Sequence, residues 1–306
     1  MKVKKFLTFF LLITLFSCNE NSTKKILTDS TGDQNEIILV IDDNGWKGAI
    51  GDTLRKIFQL EIDGLPQAEQ FFNLVQINPS DFSRFFKTHK NIMFIGKDYK
   101  DSYTMNKWAK NQIVMYLNST SNEHEFKKSC VKTFNFLYRK ELENIRASYK
   151  MSHNTEARKH IKETFGINVF LPTEYYVSLK EKNVFISDFH SFNEKQDLLK
   201  YILIYDFFPD DNENIQKQIV SKIDSILKQQ IKGSIEGTYV QIDKRMPITE
   251  INGLYRGMWT LENGFMAGPF IMKSRYIEDR IVISLGLVFH PNENKREYVR
   301  IFEAIL

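Results

Sequence analysis

The chain has few of the residues that usually announce an exported or catalytic protein. Its 306 residues contain only two cysteines, Cys18 and Cys130, so no disulfide framework can replace a hydrophobic core. No alanine precedes Ala49, which excludes the small-residue cleavage site of an ordinary secretory signal. The longest early apolar run, Phe6 to Phe16, is about half of the ~20 residues that span a bilayer. No Pro/Gly/Ser-rich stretch marks a linker inside the main body, and no Ser or Cys sits in a recognisable nucleophile motif. The formal net charge of +4 includes three lysines within residues 1–17, and the near-neutral remainder has no general attraction to nucleic acid.

What is present at the start is an export signal of a particular kind. Lys2, Lys4 and Lys5 precede the apolar run, and Leu15-Phe16-Ser17-Cys18 follows it. This resembles the lipobox of bacterial lipoproteins, with Phe16 standing where a small or aliphatic residue is usual. The resemblance implies that residues 1–17 are removed and that Cys18 carries diacylglycerol and a further acyl chain such as palmitate. A thiolate is the nucleophile such a transfer needs, and two or more acyl chains hold a protein where one would not. Removal of the signal leaves 39 basic against 38 acidic residues, so the basic balance of the full chain largely disappears. Cys130 then has no partner for an internal disulfide.

Residues 18–35 read as a lipidated cysteine followed by a polar tether, rich in Asn, Ser, Thr and Lys. Order is expected from Glu36, where Ile37 to Ile41 forms the continuous apolar run of a buried strand. The pattern then predicts a helix with Ile50, Leu54, Ile57 and Phe58 on one face, and strands over 72–77, 91–95 and 112–117. A short helix is expected over 79–87. A long helix follows, with Thr120 and Glu123 at capping-box spacing and Phe126, Cys130, Phe134, Leu137, Leu142, Ile145 and Tyr149 as its stripe. Cys130 therefore reads as a core residue.

A faint duplication links Arg55–Ile95 with Arg158–Ile186, each followed by an apolar strand and a long helix. The second long helix has Asp210 and Glu213 at capping-box spacing, an isoleucine stripe from Ile215 to Ile231 and Gly233 as its stop. From Gly237 onward, strands joined by Gly, Asn and Pro turns lead to a closing helix over 295–306. The expected architecture is α+β: a largely antiparallel sheet with packed helices. It comprises a first α+β unit over 36–150 and a second over 151–306 that ends in the strand-rich segment.

Several motifs recur in an order that resembles a domain-of-unknown-function family of Bacteroidota lipoproteins. They include Asn35-Glu36-Ile37-Ile38, Trp46, Gly51-Asp52-Thr53-Leu54, Leu65-Pro66-Gln67, Gly253 to Trp259 and Gly268-Pro269-Phe270. The resemblance covers residues 35–306 and implies a lipoprotein of the cell envelope, periplasmic or surface-facing. It implies no activity.

Candidate chemistry is sparse. Gly45, Gly48 and Gly51 open a helix after a strand, yet match no phosphate-binding fingerprint. His153, Glu156 and His160 share a helical face, but two turns separate the histidines by about 10 Å, too far for one metal. Asp42-Asp43 reads as a solvated turn before an acid/base pair. Tyr255, Arg256 and Trp259 lie on a strand with glycine beside them, the composition of a recognition surface. The competing account puts the aromatics in the core and Arg256 against an acid. No metal and no cofactor is expected. The chain reads first as a non-enzymatic binding or assembly protein, attached to a membrane by lipid, with a protein or glycan partner and no nucleic acid. An envelope hydrolase whose site forms only in the fold is the alternative. Cys18→Ser should leave the fold intact and move the protein from membrane to soluble fractions on centrifugation. A mutant that still sediments with membranes excludes the lipid as anchor.

Overall fold

The computed structural model describes residues 26–306 except 121, 194 and 195. Cys18 and the export signal lie outside the described residues. Among the described residues, six helices and thirteen strands in two sheets make the fold α+β.

The first sheet is built from β1 (Glu36–Val40), β2 (Asn73–Ile77), β3 (Asn91–Gly96), β4 (Ser102–Met105) and β5 (Ile113–Asn118), in the order β2-β1-β3-β5-β4. The first four in that order are parallel, and β4 runs antiparallel to β5 at the edge. Parallel strands are buried on both faces, and β1 shows it. Ile37, Leu39 and Ile41 face one core with Leu54, Phe58 and Cys130, while Ile38 and Val40 face another with Phe82, Phe86 and Trp108. Helices α1 (Asp43–Lys47) and α2 (Ala49–Phe58) connect β1 to β2. The segment expected as a helix over 79–87 is instead two 3-10 turns, Pro79–Asp81 and Phe86–Thr88. Ser80, Asp81 and Ser83 weaken a helix there. Phe82 and Phe86 still stack, 6.4 Å apart, over the sheet.

Helix α3 (Glu123–Met151) has 29 residues, about 43 Å of length. Its first half packs Phe126, Cys130 and Leu137 on the first sheet, and its second half packs Leu142, Ile145 and Tyr149 on the core of the second. Helix α4 (Thr155–Phe165) follows. Asn122 and Asn154 cap the two helices by accepting from Glu125 N and Ala157 N. Thr120 hence does not cap α3, and it bonds Asn118 instead. Likewise Asn214, not Asp210, caps α5 (Ile215–Gln230) by accepting from Lys217 N. Asn immediately before the first helical residue outcompetes the earlier Thr or Asp. Gly233 lies beyond the end of α5, in the turn that leads to the next strand.

The second sheet contains β6 (Tyr176–Lys180), β7 (Val184–Asn193), β8 (Gln196–Phe207), β9 (Tyr239–Ile242), β10 (Thr249–Ile251), β11 (Leu254–Glu262), β12 (Ala267–Ile277) and β13 (Arg280–Phe289). Its order is β10-β11-β12-β13-β8-β7-β6, antiparallel throughout, with β9 beside β11. Asn252 and Gly253, both at positive φ, make the tight turn between β10 and β11. One face packs Ile219, Ile223 and Leu227 of α5. The other packs α4 and the closing helix α6 (Arg296–Ile305) through Ile161, Phe165, Val299 and Phe302. The sequence duplication does not extend to topology. β3 and β5 are parallel, whereas their counterparts β7 and β8 are antiparallel: only two residues of sequence separate β7 from β8, while crossover segments separate the strands of the first sheet.

A buried ionic network joins the units. Glu141 of α3 accepts from Arg296 (3.0 and 3.1 Å) and from Arg300 (2.8 Å), both on α6. Arg300, 1% exposed, also donates to Glu303 at 2.7 Å. Arg256 of β11 reaches Glu303 and the Tyr138 hydroxyl, each at 3.1 Å. Glu69 of the first unit accepts from Lys295 N (2.7 Å) and Arg296 N (2.8 Å), capping α6 where its own flanking residue supplies no side-chain cap. Glu141→Ala should cost about 3–5 kcal/mol by leaving two buried guanidiniums unpaired. Glu69→Ala should cost about 1–2 kcal/mol as a lost cap. Urea midpoints of the two variants test the order; a Glu141 variant as stable as the native chain contradicts it.

Candidate functional site

The residues singled out on β11 do not form a surface. Tyr255 and Trp259 are buried in the core under α5, with Trp259 Nε1 donating to the Val288 carbonyl at 3.2 Å. Arg256 is buried in the inter-unit network. Gly257, between them, lies under a close backbone approach. At Gly64, held at φ +78°, an added Cβ would lie 2.9 Å from the Gly257 nitrogen. The first unit's loop thus rests on the β11 backbone, and a side chain on that loop would push it away. The Gly253–Trp259 motif is a joint between units.

The other candidates are also accounted for by structure. A Cβ on Gly51 would stand 1.8 Å from the Trp46 carbonyl, so this glycine lets α1 fold against α2. The start of α1 is filled by Asp42, which accepts from Gly45 N at 2.9 Å. Asp43 accepts from Gln76 and Asn78. Cys130 is fully buried, and burial, with Asp101 adding to it, pushes its thiol up to about 12. His153 lies edge-on to Phe170 with both ring nitrogens unpartnered among the described residues, and His160 lies beside Phe165 and Phe185 with Nδ1 3.4 Å from the Thr164 hydroxyl; neither histidine lines the cleft between the units. Among the described residues no three His, Cys, Asp or Glu side chains are grouped to hold a metal ion.

The fold does assemble a site that the sequence pattern left scattered. A cleft of about 570 Å³ lies between the units. Asp33 and Asn35 reach it from the approach to β1, and Glu69, Gln70 and Asn73 from the approach to β2. The second unit contributes His290, Glu293 and Asn294 from the turn after β13, and Arg296, Glu297 and Tyr298 from the first turn of α6. Two of these groups are locked, since Glu69 caps α6 and Arg296 pairs with Glu141. With Arg296 so engaged, the remaining field is acidic and repels anions.

His290 is the exceptional member. It is 5% exposed, its ring lies 5.4 Å edge-on to Tyr298, and neither ring nitrogen has a hydrogen-bond partner among the described residues. Burial lowers its pKa, opposed by the nearby Glu293 and reinforced by Lys295. A neutral imidazole offers one donor and one acceptor, and leaving both idle in a protein interior costs about 1–3 kcal/mol each. A comparable cavity, beside the edge strand β4, is lined by Tyr103, Met115, Lys132 and Phe136 but holds no idle buried polar group. The signal for the chosen cleft was a histidine at the end of an apolar strand followed by Pro291-Asn292-Glu293-Asn294. That loop reads as an ordinary turn until the first unit is laid against it.

Fold and cleft together define an α+β protein, a mostly parallel sheet joined through helix α3 to an antiparallel one, with a polar cleft at the seam. Residues 153–306 match the family described as Domain of unknown function (DUF4837), and the chain belongs to that family. Residues 30–150 match a second, Domain of unknown function (DUF8532). A search of curated proteins finds no match to the chain.

A depressed imidazole has a signed effect on stability. The unfolded chain binds a proton below the ordinary histidine value of about 6.5, and folded His290 binds it only at lower pH. His290 therefore contributes stability that is present above about pH 6.5 and is lost as pH falls through its folded value. Urea titrations between about pH 7 and 5 should show this loss, smaller in His290→Asn. A His290 ring resonance titrating above the ordinary value contradicts it.

Proposed function

We propose that the protein is a cell-envelope lipoprotein, held to a membrane through acylated Cys18, that binds a glycan in the cleft between its units. The observation that carries the ligand class is His290, buried and neutral with both nitrogens idle. A sugar hydroxyl both donates and accepts, so neighbouring hydroxyls satisfy both nitrogens once the ring, whose nitrogens are covered in this conformation, turns toward the cleft. Asn35, Gln70, Asn73 and Asn294 add amide donors and acceptors, and Tyr298 supplies an aromatic ring at the wall. The acidic field of Asp33, Glu293 and Glu297 disfavours phosphate-bearing ligands and nucleic acid. The lysines before the apolar run and Leu15-Phe16-Ser17-Cys18 support the anchor.

A second reading is a glycan hydrolase. Glu293 and Glu297 stand in the same cleft as a neutral imidazole, and acid/base cleavage of a glycosidic bond uses paired carboxylates. Incubation with soluble envelope glycans separates the two. Binding without release of new reducing ends supports the first reading, and release abolished by Glu297→Gln supports the second. In either case His290→Ala should weaken glycan affinity about tenfold, the scale of one or two lost hydrogen bonds. Isothermal titration measures the affinity. Binding left untouched by both His290→Ala and Glu297→Gln puts the ligand outside this cleft.

A further inference from the structure

The end of the first unit over which the chain arrives has an uneven charge distribution. Between Ile26 and Thr31 the chain crosses that end: Asp29 bridges to Lys110 and Thr31 to His89, and the backbone N–H groups of Lys110 and Lys90 donate to Thr28 and Thr31. The segments meeting there carry five cations, Arg84, Lys87, Lys90, Lys107 and Lys110, against two acids, Asp29 and Asp81. None of the five forms an ion pair with a described carboxylate. Lys87 and Lys107 lie over the Trp108 ring, at 5.8 and 4.6 Å from its centroid.

Among these cations an apolar side chain stands in water. Phe85 is 81% exposed, supported from behind by Phe86 at 5.3 Å. Ile26, at the start of the described chain, is 92% exposed. Cations without a carboxylate partner around a projecting aromatic suit a surface of anionic headgroups, where the charges meet phosphate and the ring reaches the acyl boundary; Lys107 also donates to the Tyr116 hydroxyl. An acidic protein would satisfy the cations but not account for the chain's route. Eight residue-to-residue steps lead from Cys18 to Ile26, so the lipid attachment point lies within about 28 Å of Ile26, however the connecting chain runs.

We propose that the face formed by Arg84, Phe85, Lys87, Lys107, Trp108 and Lys110 lies against anionic lipid headgroups of the bilayer into which the Cys18 lipid inserts. The anchor restricts the distance and this face sets the orientation. The proposal rests on the anchoring reading for its geometry but not for its chemistry, so the two can fail separately.

The test is backbone hydrogen exchange of the full membrane-extracted protein, reconstituted on vesicles of phosphatidylcholine alone or mixed with phosphatidylglycerol. Segments 82–90 and 106–111 should exchange roughly tenfold more slowly on the mixed vesicles, the scale of one or two cations against an anionic leaflet. The protection should vanish on neutral vesicles, in about 1 M salt where screening is nearly complete, and in the Arg84→Glu/Lys110→Glu variant. Both changed side chains are exposed, and Phe85→Ser provides a second variant that leaves the charge untouched and should reduce the protection. Equal exchange on both vesicle types, with the protein still sedimenting on them, overturns the proposal and leaves the anchor standing. Intact mass without acyl chains, with the two segments still protected on anionic vesicles, removes the anchor and supports the face. Protection confined to other segments overturns the proposal.

Discussion

The carboxylate of Glu141, shared between Arg296 and Arg300, is the contact on which the two-unit arrangement depends. A guanidinium removed from water costs several kcal/mol unless charge and hydrogen bonds replace its hydration. Arg300 obtains both from Glu141 and Glu303, and lies 4.0 Å over the Tyr138 ring. Such a network contributes little net stability compared with an apolar seam. What it supplies is register. The planar forks fit one placement of α6 along α3, and a slip along either helix would strand several buried charges. Because α3 belongs to both cores, that register is transmitted to both sheets.

The cleft follows from the same joint. Glu69 fixes the start of α6, and Arg296 is drawn to Glu141 and the Phe71 carbonyl, so the cleft's two walls are bonded to each other at its base. In open parallel sheets ligands usually gather beyond the carboxyl ends of the strands. Here that end has lost its freedom: Asp42 caps α1, and Asp43 is held by Gln76 and Asn78. The cleft opens at the opposite ends of β1 and β2, where the second unit supplies half the wall.

Local signals in the sequence survived into the structure where they depended on one element at a time. The apolar run of β1, the stripe of α3, the burial of Cys130 and the closing helix were all legible, because periodicity reports burial directly. Strand direction was not, since apolar runs look alike in parallel and antiparallel pairs; the two units therefore resembled each other until pairing was known. Two helix starts shifted because Asn122 and Asn214 each accept from the backbone three residues on. Tyr255, Arg256 and Trp259 carried the composition of an interface, and they do lie at one, but it is internal: the aromatics serve the core and the arginine the seam. His290 escaped because its partners in the cleft lie more than 200 residues away in the first unit.

The complete burial of Cys130 gives the protein a built-in chemical clock. Its sulfur has no access to solvent and its thiol is pushed far from ionising, so an alkylating reagent reaches it only when α3 lifts from the first sheet. The rate of its modification therefore reports how often the shared helix opens, without any foreign label being built into the chain. The folded molecule keeps a record of its own excursions in one sulfur atom.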